Sequence, residues 1–170
     1  IDHAIIAYGG GVTRVPGSSA AFNALEIQQV EEARVTNTTL ENNALGVGGI
    51  AEEQRAGRGT NGAGAIFVRG SQPVIVGNTI VDTSGTRAAA INIDPNSLNA
   101  APLPDYGRSI GLLDRFDQFD DNQGPLVRGN VLGGNTINGM IVRPGVITTE
   151  TVWDDTDIVH VMFEEVVIPN

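Results

Sequence analysis

Residues 65–84 read AIFVRGSQPVIVGNTIVDTS, and residues 24–43 read ALEIQQVEEARVTNTTLENN. The two align over twenty positions without a gap, setting Leu25 on Ile66, Ile27 on Val68, Val35 on Val76, Asn37 on Asn78, Thr38 on Thr79 and Leu40 on Val81. A third copy starts as AINIDPN at Ala90 and resumes after an insertion as GPLVRGNVLGGN, where Pro125 answers Pro73 and Gly129-Asn130 answers Gly77-Asn78. A fourth opens with GMIVRPG at Gly139, and the leading IDHAIIAYGGG resembles the tail of an earlier copy. Within each copy, apolar and mostly β-branched residues alternate, as in Ile66-x-Val68 and Val74-x-Val76. Period-two alternation predicts strands with one buried face. Gly, Asn, Pro and Ser interrupt them where turns are needed.

The cleanest spacing, Ala65 to Ala90, is 25 residues, and the longer spacings fit the same unit with insertions. A unit of three short strands has too little apolar surface for a core of its own. Stacked on its neighbours, it pairs each strand with those above and below and contributes to one continuous interior. The expected fold is therefore all-β: a right-handed parallel β-helix, or solenoid, of about four to five coils, each rising by about 4.8 Å. The whole of residues 1–170 reads as a single domain and as a piece of a longer chain, with insertions at about 44–64 and 97–123. Asn37, Asn78 and Asn130 are expected above one another at a turn, where asparagine tolerates left-handed backbone and its amide bonds along the stack. A β-sandwich also explains the alternation, but not the twenty-residue match.

The units PVIVGNTIVD and PLVRGNVLGGNTINGMIVR resemble those of right-handed parallel β-helix proteins of the broad pectate-lyase-like group. More narrowly, AIFVRGSQPVIVGNTIVD, RFDQFDDNQGPLVRGN and TVWDDTDIVHVMFEEVVIPN are similar to repeat regions of very large bacterial surface proteins. That resemblance covers nearly the whole chain. It implies an extracellular or cell-surface location, and it speaks to architecture far more than to activity.

Composition narrows the function classes. The net charge is −10 and every cation is Arg, because the chain contains no Lys. Nucleic acids and anionic membranes need concentrated positive charge that is missing here. No apolar run approaches the roughly eighteen residues of a spanning helix, so membrane insertion is not expected. Absence of Cys excludes disulfides and thiolate metal sites. The chain opens at Ile1 with neither an initiator Met nor a secretion signal, which fits an excised segment. Strands are then expected to continue beyond Ile1 and Asn170, or caps to cover both ends, because open strand edges invite pairing.

Insertions are where a solenoid carries specific function. GGIAEEQRAGRGTNGAG reads as a polar surface loop; Gly46, Gly48 and Gly49 resemble a phosphate cradle, but no Lys-Ser/Thr follows. SLNAAPLPDYGRSIGLLDRFDQFDDNQ brings Leu112, Leu113, Phe116 and Phe119 to one side of a short turn, where they would cover the column. The sharper reading of that segment is a Ca²⁺ site at Asp114, Asp117, Asp120 and Asp121, although an EF-hand's glycine and terminal glutamate are not in place. Asp154, Asp155 and Asp157 beside Trp153 read as turn residues, or as a second Ca²⁺ site. Apart from that Ca²⁺, no cofactor is expected.

His3 and His160 form no H-x-x-x-H pair, and Ser18 and Ser19 sit in no nucleophile elbow. Polysaccharide cleavage, common in the resembled group, asks for paired carboxylates. The Gly-His-Gly and Arg-Ile-Lys signatures of the polygalacturonase pattern are absent, and a lyase would lack lysine. A −10 domain also repels a polyanionic substrate. The expected function is a non-catalytic structural or adhesive module of a large surface protein, a rigid spacer displaying loops. Its partners are then neighbouring domains of the same chain and, through the loops, surface glycans or proteins. The alternative is a carbohydrate-binding module with Tyr106, Phe116, Phe119 or Trp153 as stacking platforms, or a polysaccharide-active enzyme.

Overall fold

Alternation of β-branched residues between glycine- and asparagine-marked turns produces a chain of short strands. The computed structural model describes residues 1–15, 18–30, 33–46, 60–98, 125–148, 153 and 156–170. Among these the helical element is a 3-10 turn, Pro95–Leu98. The strands are β1 (Ile5–Ala7), β2 (Gly11–Val15), β3 (Ser18–Phe22), β4 (Leu25–Gln28), β5 (Arg34–Thr36), β6 (Thr39–Glu41), β7 (Gly64–Arg69) and β8 (Val74–Val76). They continue with β9 (Thr79–Val81), β10 (Ala89–Ile93), β11 (Leu126–Arg128), β12 (Val131–Gly133), β13 (Ile137–Val142), β14 (Gly145–Val146), β15 (His160–Val161) and β16 (Val166–Val167). The stretch AFNALEIQQVEEARV, residues 21–35, can also be read with helical spacing, yet it supplies the end of β3, all of β4 and the start of β5.

Three sheets dominate, and their order follows the repeat. The first runs β4-β7-β10-β13-β15, the second β5-β8-β11 and the third β1-β6-β9-β12. All pairs within them are parallel. A parallel neighbour requires a crossover before the chain can return. Here the crossover from β7 to β10 is made by β8 and β9, each belonging to another sheet. Beside these lie a parallel pair, β14 with β16, and an antiparallel hairpin of β2 and β3 that the repeat pattern does not announce.

One face of all three sheets meets in a single core. Ile66, Val68, Ile91, Ile93, Met140 and Val142 come from the first sheet, Val35, Ile75 and Val127 from the second, Leu40 and Ile80 from the third. Each such side chain contributes about 1.5–3 kcal/mol when fully buried. Leu25, Ile6 and Ala33 pack against this core, as do Trp153, Ile158 and Val166 from the last part of the chain. In the first sheet the opposite face is buried too: Phe67 and Ile141 flank Asn92 in a cross-strand row.

The register corrects the sequence alignment at one corner. Leu25 pairs with Ile66 and Ile27 with Val68, as the repeat predicts. In the next sheet Val35 pairs with Ile75 rather than Val76, and Leu40 with Ile80 rather than Val81. The turn after β7 is thus one residue shorter than the turn after β4. Asn37 consequently shares its level with Gly77, and Thr38, not Asn37, lies beneath Asn78. Asn37 (φ 49°), Gly77 (φ 67°) and Gly129 (φ 63°) all adopt the left-handed conformation, which Gly and Asn reach at least cost.

The adjoining corner positions carry a second kind of asparagine. Asn78 Oδ1 accepts the Thr38 N–H at 2.9 Å while its Nδ2 donates to the Val35 carbonyl at 2.9 Å. Asn130 does the same to the Asn78 N–H (3.0 Å) and the Ile75 carbonyl (2.8 Å). At the next corner Asn43 takes the Gly9 N–H and the Ile6 carbonyl, and Asn135 takes the Thr83 N–H and the Ile80 carbonyl. Buried serines serve the remaining corner: Ser71 Oγ accepts from Val30 N–H and Ser97 Oγ from Gly70 N–H. Backbone groups that turns would leave unpaired are in this way satisfied by side chains.

Candidate functional site

A recess of about 270 Å³ opens on the outer side of the first sheet, bordered by Ala63, Asn92, Ile141, Arg143, Arg87 and Phe163 among others. Asn92 and Ile141 of the buried cross-strand row form part of its lining. Arg143 follows β13 directly, and its guanidinium carbon lies 5.4 Å from the centre of the Phe67 ring. Its Nη2 donates to Thr60 Oγ1 at 3.1 Å and its Nη1 to the Thr60 carbonyl at 3.5 Å. Burial lowers the Arg143 pKa from its ordinary value, against the opposing influence of Asp94. The group remains a cation, held at a desolvation cost.

Arg87 stands in the turn before β10, with Ala88 N–H bonded back to the Gly85 carbonyl at 3.2 Å. Its guanidinium lies 4.6 Å from the centre of the Phe163 ring, and its Nη1 is 3.2 Å from Glu164 Oε1. Cation, aromatic face and carboxylate therefore form one unit on the rim. Arg143 has the aromatic face, but among the described residues it has no carboxylate within ion-pair distance. Asn92 donates to the Ala63 carbonyl at 3.3 Å, and Gly62 packs against its amide so closely that a Cβ would lie 2.3 Å from Oδ1.

The candidates singled out in the sequence fall elsewhere. Tyr106, Phe116 and Phe119, with Asp114, Asp117, Asp120 and Asp121, lie outside the described residues, as do Asp154, Asp155, Gly48 and Gly49. Trp153 is half-buried against the core and meets His160 edge-on, with ring centres 5.7 Å apart and planes at 80°. His160 Nε2 is 2.9 Å from Thr156 Oγ1, and burial lowers its pKa. Asp157 caps the corner above Gly129, whose N–H reaches Asp157 Oδ2 at 2.8 Å. His3 is exposed beside Asp2. Among the described residues no three acidic, histidine or cysteine side chains come together as a metal group, and no helix is long and apolar enough to cross a membrane.

Sequence reading passed over Arg87, Arg143 and Glu164, which reach the recess from three distant segments and carry no local pattern. The chain matches no family model, no curated protein and no solved structure.

Proposed function

We propose that the chain is a segment of right-handed parallel β-helix serving as a non-catalytic structural or adhesive module of a large extracellular or cell-surface protein. It acts as a rigid spacer whose insertions are displayed to the side. Neighbouring domains of the same chain are its partners on this reading. The observation that carries it is the identical use of Asn43, Asn78, Asn130 and Asn135, each fastening its own turn to the backbone of the previous repeat. Four repetitions of one two-bond device stiffen a stack along its axis, which a spacer requires. Parallel pairing in chain order supports the same reading, because each repeat then loads its neighbours in series.

Single-molecule pulling between the two termini tests the proposal. A spacer of this kind gives discrete lengthening steps, each matching one repeat at about 3.5 Å per released residue. Smooth lengthening at low force would overturn it.

A further inference from the structure

We infer that the recess between Arg143 and Arg87 binds a small organic carboxylate, its anionic end on the two guanidinium groups and its apolar body against Phe163, Ile141 and Pro144. In a chain of net charge −10, a half-buried arginine without an ion-pair partner among the described residues is unexpected. A desolvated cation is costly unless something of opposite charge offsets it. Thr60 supplies a neutral oxygen pair, and the Asp94 and Glu164 carboxylates offset only part of the cost from beyond ion-pair distance.

The neighbouring arginine displays the missing piece. Arg87 lies on Phe163 and holds the Glu164 carboxylate at 3.2 Å. Arg143 lies on Phe67 in similar fashion, but among the described residues Asp94 and Glu164 act on it only from beyond ion-pair distance. Both arginines line the same recess, together with Ile141, Pro144 and Phe163. Its volume of about 270 Å³ leaves room for a body of about nine heavy atoms, at the roughly 30 Å³ that liquid water gives each molecule. Guanidinium forks match carboxylates in two parallel hydrogen bonds, and the apolar lining favours a carboxylate with a compact hydrophobic body. Glu164 and its arginine are both more than half exposed at the side chain, and such a pair is worth little. A ligand exchanges with it at small cost, so Glu164 acts as a tethered competitor.

Benzoate is the probe, with uncharged benzamide as its control, titrated into the full isotope-labelled chain and followed by NMR. The expected result is saturable, millimolar binding of benzoate, with shifts at residues 141–144 and 163–164 and none for benzamide. Arg143→Gln should weaken binding by about tenfold or more, and Arg143→Lys, which keeps charge and stem but loses the fork, by severalfold. Arg14→Gln, on the hairpin, should leave it unchanged. Glu164→Gln should tighten it severalfold by removing the competitor. Equal binding of benzamide, no saturable shift, or benzoate affinity unaltered in a folded Arg143→Lys protein would overturn the inference. Weaker binding after Glu164→Gln would do so too. None of these outcomes bears on the spacer reading, which rests on the corners of the stack.

Discussion

Asn78 and Asn130 stand one above the other at the same corner: Asn130 Oδ1 accepts both the backbone N–H and the Nδ2 of Asn78 at 3.0 Å. Asn78 is itself wholly buried and holds the Thr38 N–H and Val35 carbonyl of the repeat below. Replacing it with alanine strands a donor and an acceptor away from water. Asn78→Ala should therefore cost about 2–4 kcal/mol of unfolding free energy, from the roughly 1–3 kcal/mol attached to each unsatisfied buried group. Urea denaturation measures it, and a loss below half a kilocalorie would mean that water repairs the corner.

Thr83 occupies the place that Asn43 and Asn135 hold in adjacent repeats, but its buried Oγ1 has no hydrogen-bond partner among the described residues. An asparagine there would reach the Asn43 N–H and the Leu40 carbonyl by the geometry of its neighbours. Thr83→Asn should raise stability by about 1 kcal/mol, the net worth of a typical hydrogen bond. A fall in melting temperature would show that the corner is too tight for the extra atom.

Gly77 holds φ 67°, and a Cβ there would meet Asn37 Oδ1 at 3.0 Å. Gly77→Ala should destabilise by about 1–2 kcal/mol, the cost of left-handed backbone with a side chain. Gly77→Asn should cost less, since Asn37 adopts the same conformation one level below. Comparing the two variants by denaturation separates torsional strain from crowding.

His160 gives a pH signature. Burial holds its folded pKa below the ordinary 6.5. Above pH 6.5 both states are neutral at this site and stability is unaffected. As pH falls from there toward the folded pKa, the unfolded chain takes up a proton that the folded chain refuses, and stability declines until both are protonated. His160→Gln should flatten the melting temperature over that window.

Strand pairing in the first sheet was legible because Leu25, Ile27, Ile66 and Val68 alternate in the same phase. The corner was not. Asparagine suits two adjacent places there for different reasons: left-handed torsion at Asn37, amide bonding at Asn78. A match of letters cannot separate those roles, so the alignment slid by one residue. Arg87, Arg143 and Glu164 were invisible for another reason, since only the folded chain brings them to one recess. The hairpin of β2 and β3 belongs to no repeat and therefore left no periodic trace.

The four corner asparagines are all polarised in one sense along the axis: the amide belongs to the later segment and the backbone it grips to the earlier one. A chain leaving the ribosome N-terminus first meets each docking ledge already built. At these four corners growth in that direction does not wait for residues still to be made, and each repeat can settle on the one before it as it is synthesised.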